Sequence, residues 1–410
     1  MDTFILTYSI LFLALFIESI HSRYSRVAEH IRTRKRPDKE LTEEEFKLVF
    51  HRSSTEEIDY DFVNLTTEIT EIERKVLFTI DDKDYHLKLT RASSSVIPSG
   101  TLIRSAILWT DNQTHFHDED STDEHWGSSH IYEDLDKMAT FLLRDDDDFT
   151  RYDGVFGGGK DMKVVGSLPA RLVNIYGANY HFIYYANGSV SDVILNGAKQ
   201  VVGSANTQAG LNNFYPKLLV LVDYTLFKIL NKSYEETIRY LAIFWNAVDM
   251  KFKKFETPKI NIIITGIIVP KNEGALKHVY DARIKSDMQK VNATKIITNS
   301  EHFFGANFST ESYFDNYDAT FTMASLNDLE GQTGLAYIGA ICKNNHNNAY
   351  VKDSGVFSGV LAAAHELGHL LASDHDEDVG CPGEINYNTR LTGTIMAEYR
   401  NNNVSKFIWS

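Results

Sequence analysis

The stretch from Phe357 to His375, FSGVLAAAHELGHLLASDH, decides how this 410-residue chain is to be read. Its Ala-rich first half is a strong helix former, and the spacing predicts a helix from about Ser358 to Ala372. Residues four apart share one face of a helix, so His365 and His369 can present their imidazoles to one metal ion. Glu366 adjoins the first of them, close enough to reach a water at that ion. His375 follows six residues after His369 and supplies a third imidazole. A structural zinc needs a closed shell of four ligands, and no Cys lies at a spacing that would close it. Three histidines with an open fourth position describe a catalytic zinc. The plainer alternative is an amphipathic helix whose histidines are ordinary core or surface groups.

Working outward, the segments before this helix alternate between strands and helices. Lys217–Val222 (KLLVLV) is a continuous apolar run, as in a strand covered on both faces. Tyr234–Lys253 is a long helical pattern with Ser233 as N-cap and Glu236 completing a capping box. Ile260–Ile268, Ala319–Ala324 and Leu335–Ala340 read as further strands. Interleaved strands and helices predict an α/β domain with a mixed, mostly parallel sheet. The polar stretch Gly203-Ser204-Ala205-Asn206 marks a boundary, so residues 209–410 form this domain. Residues 23–208 form a mostly β region before it. There Lys75–Ile80 and Tyr85–Leu89 flank a turn at Asp81-Asp82-Lys83-Asp84, and Met162–Val165 and Tyr180–Tyr185 are further strands. The acidic runs Asp118–Glu124 and Asp145–Asp148 read as solvated loops. His115, His117, His125 and His130 sit among them at no recognisable ligand spacing.

Residues 1–22 read as a signal peptide, because the apolar run Phe4–Ile17 suits a secretion signal and is too short to span a bilayer. Lys259–Pro270 is short and Gly-interrupted, so it reads as a buried strand and no membrane span is expected. N-x-S/T sequons at Asn64, Asn112, Asn187, Asn231, Asn292, Asn307 and Asn403 agree with a secreted, extracellular glycoprotein. A net charge of −15 argues against nucleic acid as a partner, and a monomer is expected. The basic run Arg32–Arg36 is a solvated stretch or a processing site that Pro37 makes awkward. The two cysteines, Cys342 and Cys381, can pair with each other in an oxidising compartment.

The six-residue spacing from His369 to His375 is the metzincin one, and Met396, in Thr394-Ile395-Met396-Ala397-Glu398-Tyr399, reads as the Met-turn that packs beneath metzincin zinc ligands. Together with YPKLLVLVDY from Tyr215, GLAYIGAIC from Gly334 and FSGVLAAAHELGH, these residues resemble the reprolysin (adamalysin-type) metalloproteases, most closely the salivary reprolysin-like enzymes of ticks. The resemblance implies a metzincin catalytic domain with a small C-terminal subdomain, preceded by a prodomain. It implies one catalytic Zn2+ and a zymogen that cleaves extracellular proteins, and it makes Asp376 a supporting residue. By this reading Glu366 is the general base for a zinc-bound water, and Gly334, Leu335, Ala336 and Tyr337 form the edge strand that pairs with substrate.

Three departures accompany the resemblance. Ala372 replaces the Gly with which metzincin helices stop and turn. No Cys precedes Cys342, which excludes a thiolate latency switch. Relatives continue past Phe407–Ser410 with further cysteines, so the resemblance implies a truncated C-terminus and a partner for Cys342 beyond it. The alternative function is a secreted metzincin-fold binding protein with impaired catalysis.

Overall fold

The computed structural model describes residues 37–52, 58–119, 130–146, 149–158, 161–186, 193–194, 213–308, 316–343, 346–375, 395–396 and 399–400. The signal segment, the Arg32–Arg36 run, Asp376 and Cys381 lie outside them. Two compact units make up the chain, Met1–Thr42 and Glu43–Ser410. Of the first, Pro37–Glu40 form a short 3-10 helix.

In the second unit the chain runs through helix α1 (Glu43–Phe50) and then eleven strands. These are β1 (Tyr60–Asn64), β2 (Thr66–Ile69), β3 (Glu73–Ile80), β4 (Lys83–Arg91), β5 (Leu102–Leu108), β6 (Thr114–Asp118), β7 (His130–Asp134), β8 (Ala139–Asp146), β9 (Phe149–Phe156), β10 (Lys163–Ser167) and β11 (Tyr180–Tyr185). All but β5 and β6 build one antiparallel sheet, in the order β1-β11-β10-β9-β8-β7-β4-β3-β2. Only Leu65 separates β1 from β2, yet these strands pair at opposite ends of that order. The sheet therefore curls round on itself. Val76, Phe78, Leu87, Leu89, Phe141 and Phe156 fill its interior.

Two details differ from the expectation. The β3–β4 turn is two residues long, because Asp81 (φ 48°) and Asp82 (φ 60°) both take the left-handed conformation. That pair matches the twist of the flanking strands, and Asp tolerates it; Lys83 and Asp84 are strand residues. The acidic run is not wholly loop either: Asp145 and Asp146 end β8, and Asp145 accepts from Thr150 Oγ1 at 2.7 Å.

The second sheet draws on both sides of residue 209. Its C-terminal strands are β12 (Lys217–Val222), β13 (Ile263–Pro270), β14 (Ala319–Ala324), β15 (Gly334–Ala336) and β16 (Asn348–Lys352). The order is β15-β16-β14-β12-β13-β5-β6, so the β5–β6 hairpin from the N-terminal region completes it. Pairing is parallel throughout except at the two ends, β15 on β16 and β5 on β6. Three helices matter here: α2 (Tyr234–Phe252), α3 (Ala293–Phe308) and α4 (Val360–Leu370). Ser233 caps α2 by accepting from Glu236 N at 3.2 Å. Nearly every α2 side chain from Thr237 on is buried, so this helix is packed on all sides.

The segment Ile260–Ile268 is broken. The Ile262 amide donates to Asp249 Oδ1 of α2 at 2.7 Å, and the long strand begins at Ile263. The strand expected over Leu335–Ala340 ends at Ala336, where the chain leaves the sheet to cover the end of α4.

Candidate metal centre

Helix α4 is held at both ends. At its start, buried Asp353 accepts from Ser358 Oγ at 3.0 Å, Gly359 N at 3.3 Å and the Tyr240 hydroxyl of α2 at 2.5 Å. The Gly359 bond answers a backbone donor at the helix N-terminus, and the two hydroxyl bonds fix the carboxylate that accepts it. At its end, Ala372 takes φ 76°. Ser373 N donates to Gly368 O, and Ala372 N donates to His369 O, both at 2.9 Å. That pair of bonds is a Schellman closure, which reverses the chain. Ala adopts the left-handed conformation expected of the missing Gly, at a cost of about 1 kcal/mol.

The reversal brings His375 back over the helix. His369 Nε2 and His375 Nε2 lie 3.1 Å apart, and one nitrogen from each of His365, His369 and His375 falls within 4.8 Å of the others. All three rings are buried. Among the described residues this is the one cluster of three or more potential metal-ligating side chains. His115 and His130 instead meet Asp111 and Arg91.

The outer nitrogens are also committed. His365 Nδ1 lies 2.7 Å from the Ile395 carbonyl and His369 Nδ1 2.8 Å from the Ser373 carbonyl. A carbonyl only accepts, so each Nδ1 carries a proton, and in the neutral ring Nε2 is then the nitrogen with the lone pair a metal needs. Zinc bonded to two nitrogens at ~2.05 Å in tetrahedral geometry separates them by about 3.3 Å. The observed 3.1 Å fits that spacing, and three buried imidazoles are a donor set that zinc takes. Met396 is 2% exposed beside Ile395, so the turn that contains it supplies a carbonyl to the first histidine.

Glu366 is buried and faces β15. A Cβ on Gly334 would stand 2.4 Å from Glu366 Oε1 and 2.7 Å from its Cγ. Gly334 is therefore the residue that makes room for this carboxylate, and an isolated Gly at a strand position was the available clue. Strand β15 is the outermost of its sheet and pairs on one side only, Gly334–Ala336 against Val351–Ala349. Beyond it the chain turns onto α4: Gly339 N donates to His369 O at 2.8 Å and Ile341 N to Leu370 O at 3.1 Å. Edge strand and metal-site helix are thus fastened by backbone bonds that no motif announces. The Tyr337 hydroxyl leaves the strand's line and donates to Glu301 of α3 at 3.0 Å. Cys342 is exposed in the same loop.

Residues 216–408 match the reprolysin model of metallo-peptidase family M12. Venom metalloproteinase 3 of Eulophus pennicornis is 56% identical over 389 residues, covering 95% of this chain and 94% of its own. The chain belongs to the reprolysin-type metallopeptidases. Venom metalloproteinase 1 of the same organism is 50% identical over 417 residues, with 100% and 94% coverage. A disintegrin and metalloproteinase with thrombospondin motifs like protein of Bombyx mori is 30% identical over 48% of this chain, spanning 30% of its own. These relatives carry the family without the narrower likeness to tick enzymes. As a reprolysin-type metzincin, the chain is a zinc metalloendopeptidase acting on protein substrates, and the His365–His369–His375 triad is able to hold the metal.

Proposed function

We propose that the chain is a secreted endopeptidase that holds one catalytic zinc on His365, His369 and His375 and uses Glu366 as general base on extracellular proteins. The convergence of three buried imidazoles, two with their outer nitrogens fixed by carbonyls, carries the reading. Bound zinc supplies Lewis-acid polarisation of a scissile carbonyl and lowers the pKa of water at the site. Glu366 takes a proton from the attacking water and returns it to the leaving amine. Gly334 keeps the space that carboxylate needs. Gly334, Leu335 and Ala336, with Tyr337 just past the strand's end, form the rim along which an extended peptide adds as a strand, through backbone pairing that tolerates many sequences. Met396 lies in the turn that supplies the Ile395 carbonyl to His365, and Asp376, outside the described residues, is a supporting residue on the family resemblance alone.

Secretion is supported by the Phe4–Ile17 run, the sequons and the venom relatives; among the described residues no helix is long and apolar enough to cross a membrane. A monomer without nucleic-acid partners agrees with the charge of −15. The binding-protein reading draws on Ala372 and on the expected C-terminal truncation; the structure bears on the first. Its left-handed backbone leaves His375 within 3.1 Å of His369, which weighs against that reading.

The test is cleavage of a generic protein by the full chain and by Glu366→Gln, with zinc content measured on both. The expected result is one zinc in each and a loss of at least 10²-fold in kcat for the variant. Full activity in the variant would refute the mechanism. Zinc without cleavage in the parent chain, both before and after a cut between residues 201 and 208, would favour the binding-protein reading.

A further inference from the structure

Strand β13 is eight residues long and mostly apolar. Without a neighbour on its far side it would expose a row of unpaired backbone groups, a template for aggregation. The β5–β6 hairpin covers that side. Leu102–Ala106 pair in parallel with Gly266–Pro270. The contact continues beyond the ladder. Thr101 Oγ1 donates to Ile264 O at 3.1 Å and Thr114 Oγ1 to Ala275 O at 2.8 Å. The Asn272 side chain accepts from Leu108 N and donates to Leu108 O, both at 2.9 Å. Ala106 is fully buried in one core with Leu219, Leu221, Ile268 and Phe303, and Phe116 packs against that core. A second seam joins the curled sheet to α2. Asn246 donates to Thr140 Oγ1 at 2.8 Å, and Lys253 lies 2.8 Å from Glu133.

These contacts have the character of an interior. They also leave the candidate metal centre alone, since β5 lies five strand spacings from β15 in the sheet order, about 24 Å. Among the described residues, then, the hairpin has every reason to stay and none to leave for access to the edge strand.

We infer that the β5–β6 hairpin is a permanent strand donor to the catalytic sheet. A chain cut between the two regions stays a two-piece complex, with its N-terminal piece retained on β13. The inference rests on the C-terminal region being catalytic, but its readout needs no peptidase activity.

The experiment places the recognition sequence of an added site-specific protease between Val201 and Gln208 of the full chain and cuts it without denaturant. The two pieces should co-elute at the mass of the uncut 46.6 kDa chain. Hydrogen exchange at the amides of Gly266–Val269 should be equally slow before and after cutting. Asn272→Ala, which removes both bonds to Leu108, should speed separation of the cut pieces about tenfold. Separation of the cut parent chain into two soluble monomers, with fast exchange at Gly266–Val269, would overturn the inference. Fast exchange at those amides in the uncut chain would overturn it as well.

Discussion

The two sheets of this protein solve the same problem differently. The N-terminal sheet is antiparallel, connected largely by hairpins, and curls until consecutive strands β1 and β2 form its ends. It keeps its apolar residues in one interior. The second sheet is open and mostly parallel, and so has two edges to account for. One edge, β15, stands beside the metal-site helix. The other is covered by a hairpin donated from the N-terminal region. Closure removes edges, whereas an open sheet can put one edge to chemical use if the other is protected.

The seam between the sheets is where this contrast breaks most readily. Lys253→Met leaves Glu133 and Asp249 buried without the ammonium now 2.8 and 3.0 Å from them. Removing one partner of a buried ion pair costs about 3 kcal/mol. Chemical denaturation should show that loss, and a variant as stable as the parent would mean the seam is energetically idle.

The comparison is sharpened at the edge beside the metal-site helix by Gly334→Ala. The added methyl occupies the place of the Glu366 carboxylate. A displacement of about 1 Å at a reacting group lowers kcat on the order of 10²-fold. Zinc content should be unchanged and KM should move little. A shift in KM alone would make Gly334 a substrate contact and not the residue that positions Glu366.

Acid probes both sheets together. Burial pushes His278, within the C-terminal core, down to about 3, and His51, packed on Tyr240 and Phe357 at the seam, down to about 4. Both are neutral in the folded chain, while the unfolded chain takes up a proton below the ordinary 6.5. Their contribution is therefore complete above pH 6.5 and declines as pH falls from there toward about 4. Between pH 7 and pH 5 each histidine should remove about 1–2 kcal/mol. Denaturation midpoints of the metal-free protein at the two pH values test this. His51→Phe, which keeps an aromatic ring against Tyr240 and Phe357, should shrink the difference, and an unchanged difference would exclude His51.

The smallest effect expected is at Ala372. Glycine there relieves a left-handed alanine and should stabilise the chain by up to about 1 kcal/mol. Thermal denaturation is the measurement, and a destabilised variant would mean the Ala372 methyl, 3.4 Å from where a Cβ on Gly339 would be, already packs usefully.

Local pattern made the core of the site readable. Helix α4, the Ser233 cap and strand Ala319–Ala324 follow from helix propensity, capping chemistry and apolar runs. The third histidine followed from spacing alone. Contacts between distant segments were not readable. Nothing in Leu102–Leu108, interrupted by Arg104 and Ser105, says that it belongs with a strand far down the chain and not with its antiparallel neighbours. The Ile395 carbonyl that fixes His365, and the Gly339 and Ile341 amides that tie β15 to α4, are backbone groups, and backbone groups leave no trace in residue identity. The broken strand at Ile260–Ile263 shows the same limit, because a buried Asp249 outranks the apolar run it interrupts.

The parallel pairing of β5 with β13 also has a consequence in time. The groups that meet there are 163 and 164 residues apart in the chain, as with Thr101 and Ile264 or Leu108 and Asn272. At about 5–20 residues per second, the hairpin leaves the ribosome roughly ten to thirty seconds before its acceptor strand exists. During that interval β5 is paired with β6 on one side only, and its other edge has nothing to pair against. The chain is most exposed to misassembly then, and it is in that window that a chaperone would have most to do.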